Sequence, residues 1–345
     1  MVTLIATVFV FAVIVLIHEW GHYITAKWTG MRVDEFAIGF GPKVWSVRRG
    51  ETEYSWRLVP LGGFTAIAGM TQEDTQINQV PIHRAFVWQS APKRFLVIIA
   101  GAMMNFILAI VLMAGIFATQ GVTSISTEPI VGGVISHSAA EKAGMLPGDR
   151  VVEINGMKIS SWAEISPQVE KGKGDIVRIM LERNGRVEQL ETIPQQDDGR
   201  VLLGVTPSTL VRQVSIGEAI IISVERCYLT VAQMLQALAG MVTGSTPGTD
   251  LAGPVGIAQL AGNVARTGFS NLLMFTAVLS LNLGLINLLP IPVLDGGRLI
   301  QIAWEALRGK RLPDKILYRI QIVGLAFLAG VFILATGNDL LRFLK

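Results

Sequence analysis

The sequence holds one cysteine, Cys227, and four histidines in 345 residues. One thiol excludes an intramolecular disulfide and any cysteine-based metal site, so cysteine usage says nothing of an oxidising compartment. Cys227 reads as a small apolar residue on a helix. Charge is scarce too, at 16% of residues where a soluble chain carries about 25%. Hydrophobic residues make up 51%, and the mean hydropathy is +0.50. Collagen, a disulfide scaffold, a disordered tail and a small peripheral protein are all excluded by these values. A polytopic α-helical membrane protein that also holds a polar domain fits them. The net charge of +3 and a pI near 9.1 do not point to nucleic acid, because the bases form no single patch and the aromatics sit mostly inside apolar runs. Basic flanks of membrane spans account for the excess. The N-terminal apolar run leads straight into charged residues with no small-residue cleavage site, so no cleavable signal peptide is expected.

Four apolar stretches are long enough, or nearly so, for the roughly 20 helical residues that cross a bilayer core. The first is Val2–Ile17, continuing helically through His22. The second is Phe95–Ala118, opened by Lys93 and Arg94 and containing Asn105. The third is Leu272–Leu294, carrying Asn282, Asn287, Pro290 and Pro292 and ending on Asp295. The fourth is Tyr318–Thr336. The organisation expected is a first span over 1–22, a loop 23–94, a second span 95–118, a soluble domain 128–209 and a juxtamembrane amphipathic segment 210–270. A third span 271–295, a loop 296–317 and a fourth span 318–336 complete it. Nine lysines and arginines in 23–94 and six in 296–319 put both connections on the cytoplasmic side. The termini and the 119–270 segment then face outward.

Within that outer segment, Ile130–Ser136, Val151–Ile154, Ile176–Leu181, Val187–Ile193 and Leu202–Val205 read as strands. Trp162–Val169 reads as a helix and Gln195–Arg200 as polar loop. This order, and above all AGMLPGDRVVEINGMKI, resembles a PDZ domain. The resemblance places a peptide groove at Leu203-Gly204-Val205 beside the Trp162–Val169 helix, suited to a peptide C-terminus; the alternative is a β-rich spacer without a ligand. Residues 32–64 carry Phe36–Pro42, Trp45, Tyr54, Trp56 and Leu61–Phe64 about a charged turn at Arg48–Glu51. They read as a β-hairpin with apolar ends, able to enter a membrane only where protein or substrate satisfies its backbone.

His18-Glu19-Trp20-Gly21-His22 is an H-E-x-x-H sequence. Residues four apart share a helix face, so both imidazoles can bind one metal ion with Glu19 beside it. Zinc suits nitrogen ligands, tetrahedral geometry and an open position for water, and Glu19 then serves as general base. A chance match on an ordinary helix is the alternative, but ionisable groups at the end of an apolar span are costly and usually functional. A hydrolytic zinc site needs a third ligand. His83 lies in a polar loop and His137 in the outer domain. Asp295, at the cytoplasmic end of the third span and bracketed by two prolines and two glycines, is the better candidate.

His18–His22 together with Asn287-Leu-Leu-Pro-Ile-Pro-Val-Leu-Asp295-Gly-Gly resembles the site-2 protease family. More narrowly, it resembles the bacterial PDZ-containing branch that cuts anti-sigma factors and remnant signal peptides within the inner membrane. The resemblance implies an intramembrane zinc endopeptidase with one Zn2+ per chain, held by His18, His22 and Asp295, with Glu19 as general base. It implies substrate or oxyanion contacts at Asn287, Asn282 and Asn105. It further implies a membrane re-entrant hairpin whose edge, Ile38-Gly39-Phe40-Gly41, aligns an extended substrate. Substrates would be transmembrane proteins, single-pass and trimmed beforehand. The chain departs from the family with Ala102 in place of the usual proline, and it has room for one PDZ domain instead of a tandem pair. A PDZ-based membrane scaffold or a zinc transporter or chaperone stands as the competing function.

Overall fold

The computed structural model describes residues 1–71, 79–172, 175–197, 200–244 and 253–343. Parts of the expected 23–94 loop, the Gln195–Arg200 loop and the 210–270 segment lie outside the described residues. The chain divides into two compact units, Met1–Ile116 with Ser215–Lys345, and Phe117–Val214.

The first unit is built on helices. α1 (Val2–Trp28) and α2 (Ala91–Gln120) are long apolar runs; α1 holds no proline and the one in α2, Pro92, sits in the first turn where no ladder bond is lost. α5 (Ile216–Thr243), α6 (Pro254–Thr267), α7 (Phe269–Leu288), α8 (Asp295–Arg308) and α9 (Asp314–Phe343) follow the second unit. Four of these helices, α1, α2, α7 and α9, are long and apolar enough to cross a membrane. Ala6, Val10 and Ile14 of α1 bury against Ala261 of α6 and Leu272 of α7. Cys227 is buried against Met113 at 3.8 Å, an apolar packing role.

Two features of this unit differ from the sequence reading. The 296–317 segment is not simply a loop, because Asp295–Arg308 is helical. It carries an apolar stripe that the charge count concealed. Its buried side is anchored by an ion pair between Arg94 and Glu305 at 2.7 Å.

The second difference concerns the hairpin. β1 (Val33–Arg49) and β2 (Thr52–Ile67) turn at Gly50-Glu51 and pair from Arg49–Thr52 to Trp45–Trp56. Both strands then bend back. Residues 33–38 pair antiparallel with 63–67, while the pairs Glu35–Glu53 to Ile38–Trp56 ascend together. The result is a four-ribbon sheet in the order 63–67, 33–38, 53–56, 45–49. Ile38 is therefore bonded on both sides, to Gly63 and to Trp56, and cannot be the edge expected of it. Gly39 is buried and Phe40 pairs with Val59, which leaves Gly41 exposed. The outer ribbon nearest α1 is 63–67.

α7 ends where Pro290 can no longer continue it: Leu289 is already extended. Val293 then adopts φ +85°, a left-handed conformation that a β-branched residue takes only under constraint. This strained turn delivers Asp295 as the first residue of α8. Added Cβ atoms at Gly296 and Gly297 would collide with the carbonyls of Leu288, Leu289 and Ile291, so only glycines let the turn fold back on the helix.

In the second unit, β3 (Val122–Ile125) pairs with β12 (Thr209–Arg212), and β4 (Val131–Val134) pairs with β11 (Val205–Pro207). β5 (Arg150–Ile154), β6 (Met157–Lys158), β7 (Val177–Arg183) and β8 (Arg186–Thr192) form one sheet in the order β6-β5-β7-β8. Two short helices, α3 (Ala139–Lys142) and α4 (Ile165–Lys171), complete it. Val177, Ile179 and Leu181 alternate into a core that also takes Val151 and Ile154, either side of a register shift in β5, and is closed by Ile165 and Val169 of α4. Asp149 is buried under the Arg183 guanidinium at 2.7 Å. Burial raises its pKa, but the Arg183 and Leu146 hydrogen bonds outweigh that and hold it below the usual carboxylate range. The Gln195–Arg200 stretch is not all loop, because β9 (Gln195–Asp197) and β10 (Arg200–Leu202) pair across it.

Candidate metal centre

Helical spacing sets the first two groups. His18 and His22 lie one turn apart on α1, both buried, with their Nε2 atoms 3.2 Å from each other. Asp295 Oδ2 lies 3.3 Å from each of those nitrogens. The three donor atoms thus form a nearly equilateral triangle contributed by the α1 turn and the first residue of α8. Bonds of about 2.0–2.1 Å at tetrahedral angles would put ligand atoms about 3.3–3.4 Å apart, so zinc fits this triangle and leaves a fourth direction open. Asp295 Oδ2 is buried with no hydrogen-bond donor, which a cation would satisfy. The N-terminus of α8 also favours an anionic side chain at this place.

Surrounding contacts aim the rings. His22 Nδ1 donates to the Val97 carbonyl at 2.8 Å, which leaves Nε2 as the free lone pair. His18 Nδ1 lies 3.3 Å from the Asn105 side-chain amide, and Asn105 is fully buried with its Oδ1 unpaired. Asn105 therefore stands behind His18, away from the open side of the triangle. α2 approaches close enough to do this because residue 101 is glycine. A Cβ there would overlap the imidazoles of both His18 and His22.

Glu19 is half-buried on the same turn, and its backbone carbonyl accepts from Thr65 Oγ1 at 3.0 Å. A Cβ built on Gly63 would touch the Glu19 side chain at 3.7 Å. The 63–67 ribbon thus runs beside Glu19. Asn282 and Asn287 lie half-buried on α7, without a side-chain hydrogen bond among the described residues. His83 and His137 join no metal-ligand group among the described residues.

In the second unit, Leu203 is a core residue, 5% exposed. The Leu203 carbonyl accepts from Ala140 N–H, and the Gly204 carbonyl from Ile135 N–H, each at 2.8 Å. Val205 pairs with Val134. Much of this ribbon's backbone is thus committed internally.

Sequence reasoning missed Gly101, Val97 and the Gly63–Thr65 ribbon. Gly101 left a trace, since it precedes Asn105 by one helical turn. A carbonyl such as that of Val97 leaves none, because every residue has one.

The sequence matches the family described as Peptidase family M50 over residues 6–331. It is 32% identical to the zinc metalloprotease RasP of Oceanobacillus iheyensis, covering 99% of both chains. It is 30% identical to the regulator of sigma-W protease RasP of Bacillus subtilis, over 99% of this chain and 98% of that one. Among solved structures, the PDZ domain of an SdrC-like protein from Listeria monocytogenes is similar at 24% identity. That likeness covers 25% of this chain and 93% of that domain with a TM-score of 0.22, and it adds no weight to the strand order described above. The match along nearly the whole sequence, with full-length relatives of the same kind, means that the chain belongs to peptidase family M50 and is a zinc metalloprotease.

Proposed function

We propose that the protein is an intramembrane endopeptidase of a bacterial inner membrane that cleaves transmembrane segments of other membrane proteins. The observation that carries this is the His18–His22–Asp295 triangle, held between a helix apolar enough to cross a membrane and a turn that ends another such helix. A relative named for regulating sigma-W supports membrane-protein substrates of the anti-sigma kind.

Zinc, when bound, polarises the scissile carbonyl and makes a water molecule acidic enough to attack at neutral pH. His18, His22 and Asp295 hold it, and the Val97 carbonyl and Asn105 amide fix the rings. Glu19 accepts the proton of the attacking water and returns it to the leaving amine. Asn287 and Asn282, with no side-chain partner among the described residues, donate amide hydrogen bonds to substrate carbonyls. A transmembrane helix hides its carbonyls in its own ladder, so the substrate must unwind to react. An unwound stretch needs a strand partner, and the 63–67 ribbon beside Glu19 offers one by strand addition. The second unit restricts or binds the outer part of the substrate, as a PDZ domain does with a peptide C-terminus.

Glu19→Gln keeps volume and removes the base without touching a ligand. Zinc should stay bound, while cleavage falls by about 10²–10⁴. Asp295→Asn should lose metal and activity together. Metal analysis of the purified variants, beside mass spectrometry of membrane proteins that accumulate uncut in cells, provides the test. Wild-type cleavage by Glu19→Gln would sink the assignment.

A further inference from the structure

Two adjoining cavities lie where α8, the start of α2 and the start of α9 meet. The first, about 320 Å³, carries Arg94, Arg298 and Lys315 and no acid among its described lining residues. The second, about 370 Å³, is lined mainly by apolar side chains, including Pro292, Ile300, Trp304 and Ile320. They share Arg298, Gln301, Leu317 and Gln321. A cationic chamber therefore opens into an apolar slot.

The charges there are out of balance. Arg94 is met by Glu305, whose other oxygen accepts from Gln301 at 3.1 Å, and Arg94 Nε has no partner. Among the described residues Arg298 reaches the Met70 sulfur alone, at 3.7 Å, and a thioether is no counter-ion. Asp295 and Glu19 act on Arg298 at a distance from the metal centre, and neither forms an ion pair with it among the described residues. Lys315 is exposed and forms no ion pair among the described residues. Among the described side chains lining or closing the first cavity, three cations thus share one acid.

The outer face of α8 shows what surrounds these cavities. Ile300, Trp304 and Leu307 fall on one helical face and are 54%, 46% and 87% exposed. The Arg308 guanidinium stacks on Trp304 at 4.6 Å, and that of Arg311 on Trp88 at 4.0 Å. Trp88 lies just before α2 and Trp304 on α8, between the membrane-length α7 and α9, and tryptophans paired with bases beside such helices belong at a bilayer interface. There the abundant amphiphile with a negative head is an anionic phospholipid.

We propose that the joined cavities bind one anionic phospholipid, with its phosphate among Arg94, Arg298 and Lys315 and an acyl chain in the apolar slot. Both volumes lie at the small end of the range for ligand sites. Charge complementarity selects the head and the apolar wall selects the tail. Asp295 is the first residue of α8, so an occupant packed against that helix also bears on the position of a metal ligand. This last consequence rests on the protease reading; the binding itself does not.

The test is native mass spectrometry of the full chain in detergent, titrated with dioctanoyl phosphatidylglycerol, dioctanoyl phosphatidylcholine or inorganic phosphate. One phosphatidylglycerol per chain should bind in clear preference to phosphatidylcholine. Lys315→Gln should weaken it about five-fold and Arg298→Gln/Lys315→Gln about 25-fold, at about 1 kcal/mol per charge. Arg298→Lys should keep most of the binding. Lys315 is exposed, so its variant reads the site even if an Arg298 variant fails to fold. Equal binding of the two lipids, or an unaffected double variant, overturns the proposal. Full displacement by an equal concentration of inorganic phosphate would identify a free-phosphate site instead, and displacement by a cleaved substrate peptide a product site; either result also overturns it. The titration reads lipid mass and no proteolysis, so failure of the protease reading and failure of the lipid site are separable.

Discussion

Gly101→Ala adds a single methyl group at the point where α2 crosses the histidine turn of α1. The added carbon would lie 2.8 Å from His18 Cε1 and nearer still to the ring of His22. Ordinary contact begins near 3.5 Å, so the His18 ring must retreat by about 0.7 Å and the His22 ring by more, or the helices must part by as much. Zinc sites tolerate ligand displacements of about 0.2 Å. The triangle with edges of 3.2 and 3.3 Å would no longer close on one ion. Zinc affinity should fall at least 100-fold, equivalent to about 2.7 kcal/mol. Overpacking costs about 1–3 kcal/mol, offset by about 1 kcal/mol of helix propensity, so the fold itself should survive. Gly115→Ala is the control: it lies on the same helix, and nothing comes within 4 Å of its added methyl. Chelator competition measures zinc affinity, and circular dichroism with thermal unfolding of the metal-free protein reports the fold. Wild-type zinc affinity in Gly101→Ala would refute the close crossing of α1 and α2.

Two further expectations follow from contacts around the site and the sheet. Asn105→Leu removes the side-chain amide that lies 3.3 Å behind His18 Nδ1 and should weaken zinc about 10–100-fold; unchanged zinc affinity with reduced cleavage would place Asn105 on the substrate instead. Glu51 receives hydrogen bonds from Arg84 and Lys27, at 2.5–2.7 Å, which hold its pKa at about 2. A depressed folded-state pKa contributes stability above the unfolded value near 4.5 and loses it as pH falls toward 2. Thermal scans should show Glu51→Gln less stable than wild type at pH 7, with the gap closing below pH 4.5; a constant gap would contradict this.

Local pattern carried the chemistry of this protein far. The i, i+4 spacing of His18 and His22 depends only on helix geometry, and four membrane-length apolar runs are visible to a sliding window. Asp295 could be singled out because a carboxylate among prolines and glycines at the end of an apolar span is hard to explain otherwise. Tertiary structure decided what depends on separate segments meeting. The family resemblance implied Ile38 at a sheet edge, on the premise of a two-stranded hairpin. Both strands bend and pair a second time, which puts Ile38 inside the sheet and the 63–67 ribbon beside Glu19. Asn105 looked like a substrate contact, yet the crossing of α1 and α2 places it against a ligand ring. α8 was read as loop because its bases masked its apolar face, and the cationic chamber beside it joins residues from 94 to 315 that no local window connects. Periodicity records which face a residue takes on its own helix or strand. Which other element arrives at that face is set by packing, and packing is a property of the whole chain.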